Sequence, residues 1–245
     1  NLDIPGSIEN KPVTIIGENA FRDCVNLSNV KIPDGIKTIK SGAFYKCTNL
    51  SNVNIPETVV SIGRSAFQGC ALTNLKIPDA VTNIENSAFR HCLRLTNIEV
   101  QNSHPAYARE AGMLLNKKKE ILLSYPSASG EITIPGTVKK IAHGAFAGSN
   151  VHKVRIPESV TTIEDNAFTQ CKELREIFIP KSVTSIGVGA FGGCQNLTVM
   201  TFYGDVPSQS KDVFKNESDS LFRDGPVKIH YDLKNKTWKD AWLGR

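Results

Sequence analysis

What the chain lacks excludes several classes of protein. No apolar run approaches the roughly 20 residues that cross a bilayer, so no transmembrane segment is expected. Its cysteines never fall as Cys-x-x-Cys, and there is no His-Glu-x-x-His, Gly-x-Ser-x-Gly or phosphate-binding loop. The histidines, His91, His104, His143, His152 and His230, form no ligand pattern, so neither a metal nor a cofactor is expected. Although the net charge is +5, Lys and Arg are scattered. The one dense run, Lys117-Lys118-Lys119, is too short for a nucleic-acid groove, which needs a basic stripe with interleaved aromatics. There is no Met at position 1 and no signal-peptide pattern in the opening residues; the chain opens on Leu2-x-Ile4-Pro5, the tail of a repeat strand, which reads as a mature or trimmed chain whose upstream segment has been removed.

What is present is repetition. Phe21, Phe44, Phe67, Phe89, Phe146, Phe168 and Phe191 are spaced by 22 or 23 residues, apart from one gap of 57, and Val213-Phe214 is a degenerate further copy. A fixed period of this length is the mark of a solenoid, in which each unit buries its apolar face only against its neighbours. In residues 27–47, Leu27, Val30 and Ile32 end in the alternation of a strand with one buried face. Pro33, which lacks an N–H, ends the ladder, and Asp34-Gly35 supplies turn chemistry. Ile36 and Ile39 begin a second short extended piece, and the chain bends back at Gly42-Ala43-Phe44, expected as a short helical turn. Stacked copies lie ~4.8 Å apart, so the Phe residues form a ladder, with the small Ala beside each ring leaving it room.

The unit resembles the BspA-type leucine-rich repeats, found in bacterial surface antigens and in treponemal leucine-rich-repeat proteins. The matching text is Leu50-x-x-Val53-x-Ile55-Pro56-x-x-Val59-x-x-Ile62-Gly63-x-x-Ala66-Phe67-x-x-Cys70, and it recurs from Leu174 to Cys194. The resemblance covers about residues 2–231 and implies a right-handed leucine-rich-repeat solenoid of the α/β horseshoe class, β-dominated with short helical turns. It also implies a secreted or surface-exposed, adhesion-type protein without catalytic residues. The chain is read as a single solenoid domain over 1–245, with about eight repeats. Residues 1–100 form the first arm, 101–134 an atypical repeat with a β-hairpin, 135–214 the second arm and 215–245 a C-terminal cap.

The period breaks in three places. Between Val100 and Ile134-Pro135 the Ala-Phe pair is missing. Two apolar runs, Gly112 to Leu115 and Ile121 to Pro126, flank the polar Asn116–Glu120 and read as a β-hairpin, either an embellishment or a recognition loop. The first unit carries an extra loop, Glu9-Asn10-Lys11-Pro12. At the far end Phe202-Tyr203-Gly204 keeps the register but loses the usual Pro, Val227 to Tyr231 reads as a last strand, and Trp238 and Trp242 are expected to cover the final apolar layer.

Cys24, Cys47, Cys70, Cys92, Cys171 and Cys194 all occupy one repeat position, with Ser149 in the same place in another coil. An even count invites a disulfide framework. Register opposes it, because side chains in a stacked column point in parallel. They are expected as buried free thiols that pack as small hydrophobes. Five Asn-x-Ser/Thr triplets, at Asn26, Asn49, Asn196, Asn216 and Asn235, are weak signals for glycosylation, the first three being repeat text.

The strand positions that alternate with the core face solvent. One such column reads Asn29, Asn52, Asn74, Asn97, Lys153, Glu176, Val199, and the next Lys31, Asn54, Lys76, Glu99, Arg155, Phe178, Thr201. The first arm thus presents Asn with alternating charge, and the second becomes charged and then apolar, with Phe178 expected in solvent. The leading expectation is a non-catalytic cell-surface or secreted interaction module, a monomer that binds a host or microbial protein or a glycan through this face. The alternative is a structural spacer or stalk. A carbohydrate-active enzyme on a β-solenoid ranks third, since Asp and Glu do not gather on one face.

Overall fold

In the computed structural model each coil is built from two short parallel strands and a turn-rich corner. The structure describes residues 1–208, 212–214, 227–231 and 236–238. Trp242, Asn216, Asn235 and most of the expected cap at 215–245 lie outside the described residues. The chain divides into two compact units, Asn1–Lys118 and Lys119–Arg245. Each unit is built as a β-solenoid, and the chain holds about 8 turns in all.

In the first unit, one strand column contains Leu2–Asp3, Asn29–Lys31 and Asn52–Asn54, and continues as a separate ladder, Asn74–Lys76 with Asn97–Glu99. A second column stacks Ile15–Ile16, Thr38–Ile39, Ser61–Ile62 and Asn83–Ile84, all parallel. The second unit repeats the plan. Ser129–Thr133, Asn150–Arg155, Glu176–Ile179, Val199–Phe202 and Lys228–His230 form one parallel column. Ile121–Ser124, Lys140–Ile141, Thr162–Ile163 and Ser185–Ile186 form the other. The two 22-residue coils drop a residue between the Cys position and the next Leu position, at Cys70–Leu72 and Ser149–Val151. The shortage is absorbed in the strands that follow. The ladder breaks between Asn52–Asn54 and Asn74–Lys76, and the register shifts at Gly130/Glu131 opposite Asn150–Arg155.

Within each unit the corners hold successive coils together. Phe21, Phe44, Phe67 and Phe89 stack at centroid spacings of 5.2, 5.3 and 6.0 Å, and Phe146, Phe168 and Phe191 at 4.9 and 5.4 Å. The corner is not the short helix expected; it is a turn with a regular hydrogen-bond pattern. Gly42, Phe44 and Lys46 donate their N–H groups to the carbonyls of Arg64, Ala66 and Gln68 in the next coil, at 2.9, 2.8 and 2.7 Å. The amides between them, on Ala43, Tyr45 and Cys47, donate to carbonyls three residues back in their own coil. A helix would send every amide along its own axis; here alternate amides bond the neighbouring coil. Two left-handed residues frame each such corner, two positions before and two after the Phe. They are Asn19 and Asp23, Gly42 and Lys46, Ser65 and Gly69, Ser87 and His91, Gly144 and Gly148, Asn166 and Gln170, and Gly189 and Gly193. This conformation costs an L-residue with a Cβ about 1–2 kcal/mol; Gly, Asn and Asp adopt it most readily, and these three types fill nine of the fourteen places.

The irregular segments obey the same constraints. Tyr125 takes the missing Phe position: its N–H donates to the Ala145 carbonyl at 2.7 Å, its ring meets Phe146 at 6.0 Å, and Ala128 stands where Cys would be. The expected strands on either side of Asn116–Glu120 are present as Met113–Asn116 and Ile121–Ser124, and the former also pairs antiparallel with Tyr107–Glu110. The extra loop in the first unit is a tight hairpin, Ser7–Ile8 against Lys11–Pro12. Its two turn residues, Glu9 and Asn10, both have positive φ, as a type I′ turn requires. Where the second column of the first unit ends, the buried Tyr107 Oη accepts the Ile84 N–H at 2.7 Å. Fully buried His104 fixes that segment: Nδ1 accepts from the Ala106 and Tyr107 amides, so Nε2 carries the proton and donates to the Pro78 carbonyl at 3.1 Å. Trp238 is 4 % exposed, packed on Phe202 at 4.7 Å, with Nε1 donating to the Gly204 carbonyl.

The corner geometry sets the cost of substitution. Phe67→Ala removes a ring stacked on both sides and lowers the unfolding free energy by about 3–5 kcal/mol in chemical denaturation. Gly69→Ala meets no close neighbour but sits at φ +75, so it costs about 1–2 kcal/mol from backbone strain alone. Gly136→Ala, in open space without a positive φ, leaves the midpoint unchanged or raises it.

Candidate binding face

The inward strand positions are occupied by packing: Val30, Val53, Leu75 and Ile98 in the first unit, Val154, Ile177 and Met200 in the second, all buried. Their neighbours on either side point outward. In the first unit Asn29, Lys31, Asn52, Asn54, Asn74, Lys76 and Glu99 are exposed and Asn97 is half-buried. Register sets Asn29 beside Asn52 and Lys31 beside Asn54 in one ladder, and Asn74 beside Asn97 and Lys76 beside Glu99 in the other. The amides do not form a continuous ladder. Asn29 Nδ2 donates to Asn1 Oδ1, Asn74 Nδ2 to Thr73 Oγ1 and Asn97 Nδ2 to Glu99 Oε1. Lys76 is turned back to Glu57, with Nζ and Oε1 2.6 Å apart, and the Glu57 carboxylate raises its pKa.

In the second unit Arg155 is exposed, while Lys153, Glu176 and Phe178 are half-buried. Phe178 therefore does not stand free in solvent, as the alternation implied. Lys153 explains the difference, since its ammonium pairs with Glu176 Oε1 at 2.8 Å and lies 5.5 Å from the Phe178 ring centre. The other side of the pattern is Tyr203, which occupies the place of Pro180 one coil earlier and packs near-parallel to Phe178 at 6.4 Å. Tyr203 is 64 % exposed and belongs to neither sequence column. Its signal in the sequence is an aromatic where the repeat has Pro. Of the histidines, His152 and His230 are exposed, His91 and His143 are half-buried, and His104 is structural.

The cysteines are free, and five of the six are buried. Cys24 is the exception: it lies in the first coil, over which no earlier coil of this sequence stacks. The buried thiols are more than small hydrophobes. Cys47, Cys70, Cys92, Cys171 and Cys194 each donate S–H to the Phe carbonyl of the coil before, on Phe21, Phe44, Phe67, Phe146 and Phe168, at 3.0–3.1 Å. The same carbonyl accepts the N–H of the Cys in its own coil, or of Ser149 in the case of Phe146, so both lone pairs are used. Desolvation pushes the Cys47 thiol up from 9.0 to about 11 and Cys92 to about 12, and shifts Cys70 further in the same direction. Such thiols stay protonated and are poor nucleophiles.

The repeat geometry agrees with a family model for the BspA type leucine rich repeat region, which matches in 6 copies over residues 14–111 and 125–222. The chain belongs to this family. The stretch between the two matches carries the strands around Asn116–Glu120. Among solved structures, a BspA-type chain of this kind is similar to a leucine-rich repeat protein from Eubacterium ventriosum ATCC 27560. They are 29% identical with a TM-score of 0.59, over 85% of this chain and 68% of that one. It is also similar to a leucine rich cell surface protein from Faecalibacterium prausnitzii A2-165, at 27% identity and a TM-score of 0.68, over 93% of this chain and 65% of that one. The chain thus spans less than two thirds of the latter. The pneumococcal vaccine antigen PcpA, 20% identical with a TM-score of 0.57, covering 94% of this chain and 83% of its own, shares the fold. No curated protein sequence matches the chain. Among the described residues no helix is long and apolar enough to cross a membrane.

The thiol geometry sets a measurable pattern. At neutral pH a thiol reagent modifies Cys24 rapidly in the native chain, and the other five cysteines only after denaturation. Because burial raises the Cys47 pKa from 9.0 to about 11, its contribution to stability is full below pH 9 and is lost as pH rises through 11. Urea midpoints across that range fall more steeply for the parent chain than for Cys47→Ala.

Proposed function

We propose that this BspA-type repeat chain is a cell-surface or secreted interaction module that binds a host or microbial protein, or a glycan, through the outward strand positions of its coils, without catalysis. One observation carries the reading. Inward positions are held apolar by stacking, whereas the outward ones vary, from Asn29, Asn52 and Asn74 to Lys153 in one column and from Lys31, Asn54 and Lys76 to Arg155 and Phe178 in the other. Stacking does not dictate these identities, and exposed side chains on a rigid parallel ladder are pre-positioned for a partner. The cell-surface description of the Faecalibacterium protein supports the location. Chemistry on a substrate would need polar groups gathered in a pocket, and the outward residues lie along open strands instead.

The test is binding of the purified chain to arrays of extracellular-matrix proteins and glycans, beside a Lys153→Ala/Arg155→Ala/Phe178→Ala variant of unchanged melting temperature. Loss of most binding in the variant is the expected result and assigns the contact to the second unit. Equal binding by both transfers it to the Asn positions of the first unit, checked with Asn52→Ala/Asn54→Ala. Absence of any binding would leave the chain a spacer and overturn the reading.

A further inference from the structure

The outer surface of the second unit combines flat aromatic area with unpaired positive charge. In register, Phe178, Thr201 and His230 form one outward row. Arg155 enters that row at its far end, one residue beyond the Val154↔Ile177 pair. The adjacent row is Lys153, Glu176, Val199 and Lys228. Tyr203 flanks Phe178, its ring turned by only 15° from the Phe178 plane. Lys153 and Glu176 satisfy one another. The side chains of Arg155, Lys228 and His230 have no hydrogen-bond or ion-pair partner among the described residues. Four neighbouring strands therefore carry Arg155 at one end and Lys228 with His230 at the other, about 14 Å apart at the usual strand spacing. Between them lie the Phe178 and Tyr203 rings and the Thr201 hydroxyl.

This arrangement selects among ligands. An apolar peptide would cover the rings but strip water from Arg155 and Lys228 without pairing them, which is costly. An acidic peptide would pair the cations and leave the near-parallel rings without a purpose. A sugar ring presents a face of C–H groups, whose positive hydrogens suit the negative face of an aromatic ring. Its hydroxyls suit Thr201, and a carboxylate or sulfate on the same sugar suits the fork of an arginine. Resting on the interaction-module reading, we propose that this face binds an acidic oligosaccharide. A sugar ring lies over the exposed Tyr203 ring, which Phe178 backs, and its acid groups pair with Arg155 and with the Lys228–His230 end. Exposed Glu131, in register with Lys153 on the strand beyond Asn150–Arg155, disfavours extension of an acidic chain in that direction.

The whole chain would be titrated with a heparin hexasaccharide (sulfates and carboxylates), an oligogalacturonate (carboxylates alone), neutral cellohexaose and polyglutamate. Binding to one or both acidic sugars, weakening as salt is raised, is expected. Comparison of the two identifies whether sulfate or carboxylate is preferred. Arg155→Gln and Tyr203→Ala, at exposed side chains and with the melting temperature checked as unchanged, should each weaken it roughly tenfold, while Lys11→Ala in the Ser7–Pro12 hairpin should not. Equal binding of cellohexaose or polyglutamate overturns the proposal, as does binding that either variant leaves intact. A chain that ignores acidic sugars but binds an array protein overturns the proposal and leaves the interaction module standing. A chain that binds nothing overturns both.

Discussion

The bond that the rest of the structure depends on runs between one Phe corner and the next. At that corner the Phe amide donates forward to the following coil and the Phe carbonyl receives a thiol from it. The rings stack at nearly the spacing of β-strands, and the flanking strands are only two to six residues long. Ladders that short contribute few backbone bonds each. The corner extends the ladder around the turn, so coils meet along several sides rather than along the strands alone. The requirement for two left-handed residues per corner follows directly, because only that path lets alternate amides reach the neighbouring coil.

This constraint explains why the repeat text is rigid in some places and free in others. Ala, Phe and Cys recur because each is enclosed by its copies above and below, and a larger or smaller side chain would be felt in three coils at once. Where the text departs, the geometry substitutes rather than abandons the contact. Tyr125 stands for Phe and Ala128 for Cys, while Ser149 brings its hydroxyl within 3.4 Å of Cys171 Sγ. The outward strand positions escape the rule, and only there can the chain vary its surface without cost to its core. The difference between an Asn-rich face in the first unit and one with Lys153, Arg155 and Phe178 in the second falls on those positions.

Most of the architecture was legible in the sequence, because a solenoid writes its packing contacts once per period. The Phe spacing, the alternating strand, the Pro that ends it and the small Ala all pointed to stacked coils. What escaped depended on contacts between residues far apart in the text. Nothing in Gly42-Ala43-Phe44 distinguishes a helical turn from a corner with split hydrogen bonding, since both need i to i+3 closeness. The thiol donors looked like apolar fillers, because their acceptors lie in the coil before. His104 looked like one more unpatterned histidine, yet its ring accepts two amides and reaches Pro78, 26 residues away.

The candidate face divides along the same line. Alternation determined which strand positions point outward, and the twelve residues read from it are exposed or half-buried. Alternation could not determine what those side chains do once placed. Lys153 turns to Glu176 and over Phe178, Lys76 turns to Glu57, and Tyr203 joins the surface from a position outside both columns. By itself, then, the sequence determined the coil, its period and the direction of each side chain, because these are local or repeat every 22–23 residues. Only the tertiary structure decided which exposed charges remain unpaired and which rings come together, because those outcomes depend on reach between strands that the period does not encode.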